Sequence, residues 1–227
     1  MTIIEISQRS IGKASQEFLE AGRQVFAGDP NWIPPLNIML RDQLSPKSPY
    51  FRHADATFFT ARKNGRIVGR ISAQVDQQHL QLHQDECGFF GFFDTIDDQD
   101  VASALYKAAA DWLRAKAMKR IRGPISLSTN QEVGTLIEGF DSPPMVMMPH
   151  SRTYQGKLIE GCGTKKIKGL YAWRWSSRPE MPRRCAKAHL DMKNLGVHFR
   201  TADLKEEMDQ MVAIFDDAWG TTGVTSP

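Results

Sequence analysis

Hydrophobic positions alternate along 3–6, then recur at helical spacing at Phe18, Gly22, Val25 and Phe26. This predicts a strand followed by a helix that ends near Gly28-Asp29-Pro30. Trp32-Ile33-Pro34-Pro35 is extended, because each proline restricts the residue before it. A second short helix is expected over 37–44, before the turn-rich 45–49. Residues 57–62 and 67–75 read as strands joined by a turn at Lys63-Asn64-Gly65-Arg66. A third strand is expected at 87–93. Val101, Leu105, Ala108 and Trp112 then mark the buried face of a helix over 99–118. A strand over 119–126, a helix over 153–160 closed by Gly161-Cys162-Gly163, and a long strand or strand pair over 166–175 complete the pattern.

The polar stretch 178–195 reads as a linker with a helix near 183–192. A strand-like start at 196–200 leads into a strong amphipathic helix carrying Leu204, Met208, Met211, Val212, Phe215 and Trp219 on one face. Asp203 with Glu206 is the capping pair expected to start it. Strand and helix thus open each half, which implies a degenerate duplication: one domain over 1–177, a linker over 178–195, and the start of a second domain over 196–227. The eight residues Gly220-Thr221-Thr222-Gly223-Val224-Thr225-Ser226-Pro227 stop that second unit early. The exposed stripe over 204–219 is then expected to favour self-association.

Composition narrows the class without naming an activity. The 227 residues are 41% hydrophobic and 24% charged, as in a globular protein, and no apolar run approaches the ~20 residues of a membrane span. Three unpatterned cysteines argue against a disulfide scaffold or zinc site and fit a reducing cytoplasm. The net charge of +3 is scattered, apart from Lys165-Lys166-Ile167-Lys168 and Arg183-Arg184, so no nucleic-acid face is expected.

The element order resembles the GNAT acyltransferase superfamily. The likeness rests on the hairpin Asn64-Gly65-Arg66-Ile67-Val68-Gly69, on the strand 87–93 entering the helix at Gln99, and on Tyr154 to Gly163 before a strand. The last loosely resembles the superfamily's Tyr-x-x-x-Gly-Phe signature: Tyr154 stands seven residues before Gly161, and Thr164 stands where an aromatic is usual. A closer resemblance is to bacterial GNAT-like proteins with two such domains. It is carried by Asn31-Trp32-Ile33-Pro34-Pro35-Leu36, Gly88-Phe89-Phe90-Gly91-Phe92-Phe93, Arg122-Gly123-Pro124 and Gly139-Phe140-Asp141. Such proteins continue after the helix with Trp-x-x-Asn-Trp-Gly-Tyr/Phe-Val-Pro-Leu/Met-Thr. Back-translating Gly-Thr-Asn-Trp-Gly-Tyr-Val-Pro-Leu-Thr with suitable codons and deleting one base yields Gly-Thr-Thr-Gly-Val-Thr-Ser-Pro and a stop. A frameshift and a truncated second domain are therefore expected.

The resemblance implies an α/β fold with a mixed sheet, an acyl-CoA donor such as acetyl-CoA, and a small-molecule amine acceptor. It implies that the donor lies in a splay between two strands near Phe92 and Phe93, with its pyrophosphate on backbone N–H groups at the start of the following helix, near Ala102 and Ser103. Ala102 and Leu105 match the superfamily's loop. Asp97 replaces a Gln or Arg, and Asp100 replaces a glycine. Unit charges ~6 Å apart at an effective dielectric of ~20 repel by about 3 kcal/mol each, so Asp97, Asp98 and Asp100 oppose a diphosphate. The same aspartates suit a helix start. They lack the glycine turn and terminal glutamate of a calcium loop, and no metal is expected.

Tyr154 stands where the resemblance places a general acid for the leaving thiolate; a packed tyrosine with a bonded hydroxyl is the other reading. Asp85 and Glu86 precede a strand, but surface exposure explains them equally well as a basic role. His79, His83 and His150 have no sequence partner and are expected in surface or loop roles. The long connection 129–152 carries Phe140 and Met145-Val146-Met147-Met148. Phe140 and Met147 either line an apolar substrate slot or seal a core or interface. Two functions are open: an N-acyltransferase of which this fragment has little or no activity, or a non-catalytic scaffold or small-ligand-binding module.

Overall fold

The computed structural model describes residues 3–12, 16–176, 182–198 and 200–219. The chain divides into two compact units, 1–170 and 171–227.

In the first unit, β1 (Ile4–Ser10), β2 (Ala54–Lys63), β3 (Arg66–Asp76), β4 (Cys87–Thr95) and β5 (Arg120–Arg122) form one five-stranded sheet in sequence order. The first three pairings are antiparallel and β4–β5 is parallel, which makes a mixed sheet. Helices α1 (Gln16–Val25) and α2 (Asn37–Gln43) follow β1; α3 (Gln77–His83) follows β3; α4 (Gln99–Ala115) follows β4; and α5 (Gln155–Gly161) follows β5. This is a mixed α/β architecture with the element order that the GNAT resemblance implies, plus α3. The β2–β3 turn places Asn64 and Gly65 at φ 53° and 75°. Asn and Gly tolerate the left-handed region that a tight hairpin needs.

Alternation along the strands gives the sheet two apolar faces. Phe59, Ile71 and Phe90 pack with Val101, Leu105 and Leu113 of α4 and Leu158 of α5. Ala56, Phe58 and Phe92 pack with Phe18 and Leu19 of α1 and Leu40 of α2. Fully burying side chains of this size stabilises by roughly 1.5–3 kcal/mol each, so the two clusters hold the unit together.

Several elements depart from the sequence pattern. Helix α3 was not expected: its one buried residue, His79, makes no apolar stripe, and its start is set by the Asp76 carboxylate, which accepts from the Gln78 and His79 amides. The strand expected over 119–126 joins the sheet at Arg120–Arg122 and is broken at Pro124, which offers no ladder N–H; beyond it Ile125 makes an isolated bridge with Val133. No strand forms over 166–175. Tyr171, Trp173 and Trp175 alternate correctly but are 84%, 87% and 81% exposed, and extended chain needs a paired neighbour to become a strand.

The second unit contains α6 (Arg183–Asn194) and α7 (Met208–Trp219). None of its residues described for burial is buried. The strand expected over 196–200 is absent from its described residues, and Phe199 and 220–227 lie outside them. The expected pair of Asp203 with Glu206 is replaced by Asp203 with Glu207, in the turn that precedes α7. The Glu207 carboxylate accepts from the Asp203 amide at 2.9 Å, while the Asp203 carboxylate accepts from the Lys205 amide.

Candidate functional site

The expected donor groove lies along β4. Ladder register advances from Arg70↔Asp94 to Ser72↔Gly91, so Phe92 and Phe93 together face Ile71. Phe92 takes φ 46° at this bulge. Both phenylalanines are buried in the two cores.

Beyond the bulge, the chain itself answers the strand's polar groups. The Ile125 amide donates to the Phe90 carbonyl at 2.7 Å, and the Phe92 amide donates to Ser126 Oγ at 3.3 Å. From α5, Gln155 Nε2 donates to the Phe93 carbonyl at 2.6 Å, and Tyr154 Oη donates to the Thr95 carbonyl at 3.0 Å. Tyr154 is half-buried. Desolvation and the charges of Asp97 and Asp94 raise its hydroxyl above the ordinary phenol value, against Arg152.

The start of α4 is closed in the same way. Asp98 Oδ1 accepts from the Asp100 and Val101 amides at 3.0 and 3.3 Å, and Asp98 pairs with Lys63. The Lys63 bond comes first among the interactions that hold the Asp98 carboxyl below its ordinary value, against desolvation. Asp97 and Asp100 are exposed beside it. Ala102 is fully buried in the core, and Ser103 Oγ accepts from Gln99 Nε2 at 3.2 Å. A diphosphate needs free N–H groups and positive surroundings. The residues present do not fit an acyl-CoA: the helix amides are spent on Asp98, the adjacent charge is negative, and the strand carbonyls are spent on α5.

Across the sheet from α4 lies a buried ion pair, with Arg70 Nε donating to Asp94 Oδ2 at 2.7 Å. Arg70 also donates to the Phe18 carbonyl at 3.1 Å and lies over the Phe18 and Phe92 rings. A Cβ on Gly22 would stand 2.7 Å from the guanidinium, so glycine in α1 makes room for it. Glu132 reaches solvent in this neighbourhood. Desolvation by the surrounding protein and repulsion from Asp94 raise its carboxyl, against Arg70.

The connection 129–152 is tied to the chain that follows α1. Asn31 Nδ2 donates to the Phe140 carbonyl at 2.9 Å, and Trp32 stacks on Phe26. Phe140 is half-buried, whereas Met147 is 56% exposed at φ 65°, so Met147 neither lines a closed slot nor seals a core.

His150 is not a surface histidine. Its side chain is 5% exposed, and Nε2 stands 3.0 Å from Asp29 Oδ2. His150 Nδ1 is buried with no partner. Arg152 approaches Asp29 at 3.5 Å and donates to the Val25 and Ala27 carbonyls. Burial acts to raise the Asp29 carboxyl. The His150 hydrogen bond, the Asn31 amide and the Arg152 charge together hold it below its ordinary value. His79 likewise has a carboxylate partner, Asp85, at 3.0 Å, and Asp85 also meets Arg122 at 3.3 Å. Sequence reading missed both pairs. A separation of 121 residues between Asp29 and His150 leaves no spacing signal, and Asp29 was legible only as a helix end.

Among the described residues, no group of three or more His, Cys, Asp or Glu side chains is placed to hold a metal ion, and no helix is long and apolar enough to cross a membrane.

No family profile matches the chain. It is 40% identical over 206 residues to Protein YghO of Escherichia coli (strain K12), covering 89% of this chain and 53% of that protein. It is 40% identical over 212 residues to the protein named Bacterial ceramide synthase of Caulobacter vibrioides (strain NA1000 / CB15N), covering 90% and 54%. Among solved structures, aminoglycoside N-acetyltransferase AAC(6')-Iy in complex with CoA aligns at a TM-score of 0.47 and 13% identity, over 78% of this chain and 97% of that one. An aminoglycoside acetyltransferase from an uncultured soil metagenomic sample, in complex with sisomicin, aligns at 0.45 and 11%, over 77% and 97%. The chain spans about half the length of the curated relatives it matches.

Proposed function

We propose that this chain is the GNAT-like portion of an N-acyltransferase that joins an acyl group from an acyl-CoA thioester to a long-chain amine. The carrying observation is the 40% identity, over 90% of this chain, to a protein named Bacterial ceramide synthase. A ceramide is the amide of a fatty acid and a long-chain amino alcohol, so its synthesis is an N-acylation. The element order of the first unit supports the same reading.

In this reading, 1–177 forms the GNAT-like domain, 178–195 the linker, and 196–227 the opening of a second such domain. The closed β4 edge and the capped start of α4 favour a donor site outside this chain, in the part of the relatives' length that it does not span. This chain then serves the acceptor side, in the cytoplasm. The apolar stripe of α7 offers a surface for self-association. Sedimentation of this chain should then show a mass that grows with concentration, and Phe215→Glu should abolish that growth.

The main test incubates this chain, and separately a protein of the relatives' full length, with palmitoyl-CoA and a long-chain amino diol, and detects amide by mass spectrometry. Amide is expected from the long form alone, and CoA should leave the melting temperature of this chain unchanged. No amide from the long form, or a CoA-induced rise of several degrees in this chain, overturns the assignment. The closed groove also favours a second reading, a non-catalytic GNAT-fold scaffold or ligand-binding module. An inactive long form would select it.

A further inference from the structure

We propose that His150, oriented by Asp29, is the amine-binding and proton-accepting site for an alkylammonium acceptor, with Nδ1 as the accepting atom. The inference rests on the acceptor-side role proposed above and adds the group that performs it.

The first observation is the unequal state of the two ring nitrogens. Nε2 lies 3.0 Å from Asp29 Oδ2, and a carboxylate can only accept, so Nε2 carries the proton. Nδ1 has no partner, and it is buried. A proton buried there without an acceptor is strongly disfavoured, so Nδ1 presents a lone pair. A carboxylate fixing one nitrogen while the other offers its lone pair is the arrangement of a general base. A purely structural tie between 129–152 and the end of α1 needs only the Nε2–H donor and leaves Nδ1 unexplained.

The second observation is where the pair sits. Arg152 lies 3.5 Å from Asp29, its amide donates to Gln155 Oε1 at 2.6 Å, and Gln155 Nε2 donates to the Phe93 carbonyl at 2.6 Å. The pair is therefore wired through two residues to the bulge of β4. Arg152 itself is committed to the Val25 and Ala27 carbonyls and does not compete for Nδ1.

Met145, Val146, Met147 and Met148 end two residues before His150 and are exposed. Their flexible, exposed apolar side chains offer a surface for the alkyl tail of the acceptor. The step is a single transfer: the ammonium N–H bond breaks, its proton forms a bond to Nδ1, and the electron pair stays on nitrogen. A neutral amine and an imidazolium paired with Asp29 result, and the imidazolium later returns its proton to water.

The test uses octylammonium chloride and the whole chain with isotope-labelled histidine. By NMR, the amine should move the His150 Nδ1 resonance from its lone-pair position toward the protonated one while Nε2 stays bonded. His150→Gln keeps an N–H donor where Nε2 stood, so the tie to Asp29 and the melting temperature should survive, while octylammonium affinity falls at least about tenfold. An unmoved Nδ1 at saturating amine, or equal affinity in His150→Gln, overturns the proposal. If octylammonium titrates onto Nδ1 but the long form makes no amide, the amine site stands and the acyltransferase reading falls.

Discussion

The two units of this chain are built from similar helices and differ in what lies beneath them. Helix α4 lays Val101, Leu105 and Leu113 on the sheet, and all three are buried. Helix α7 carries an equally regular stripe, yet Met211, Val212 and Phe215 are 42%, 47% and 61% exposed. Periodicity thus fixes where a helix forms and which face is apolar; burial depends on a second surface, which the described residues of 171–227 do not supply.

The widest separation should come from truncating one apolar side chain in each unit. Phe90→Ala removes a side chain that is 2% exposed between sheet and α4 and should cost about 4 kcal/mol in urea unfolding, whereas Val212→Ala should stay within about 0.5 kcal/mol. Equal losses would mean that α7 is covered in solution. Ion pairs sharpen the contrast. Arg70→Ala strands the buried Asp94 carboxylate and should cost about 3 kcal/mol. Arg200→Ala removes the exposed partner of Glu207 and should leave the melting temperature unchanged.

The smallest effect concerns helix caps. Asp98→Ala should cost about 1 kcal/mol at neutral pH. The folded Asp98 carboxyl lies below its ordinary value of 3.8, so its contribution is complete above that pH and disappears as pH falls through the depressed value. Wild type and Asp98→Ala should therefore converge in acid. Asp203→Ala, in the exposed turn before α7, should leave the main transition unshifted.

What the sequence revealed follows the same division between local and distant causes. The Asn64-Gly65 turn, the face of α1 and the strand 87–93 were legible because each is set within a dozen residues; the face of α4 was legible at Val101 and Leu105, while Ala109 and Leu113 are buried where Ala108 and Trp112 were expected. The reading of the aspartates before α4 as a helix start also matches the geometry, with Asp98 as the capping residue. The strand or strand pair expected over 166–175 does not form, because pairing is a property of two segments and no second segment was visible. The Asp29–His150 and Arg70–Asp94 pairs escaped for the related reason that their partners meet only after the sheet has formed. Gly22 shows the limit plainly. It fell on the apolar face of α1 by period, whereas its position is explained by the guanidinium beneath it.

Gly91 marks the place where two main chains touch without an intervening side chain. A Cβ there would stand 2.6 Å from the Ile125 carbonyl carbon and 2.8 Å from Ser126 Cα, and neither is a flexible group that could swing aside. Exhaustive codon replacement at this position should consequently return one amino acid only, whatever the selection asks of the protein. Here the gene is read for an absence, and any lineage that keeps this crossing inherits a codon it is not free to change.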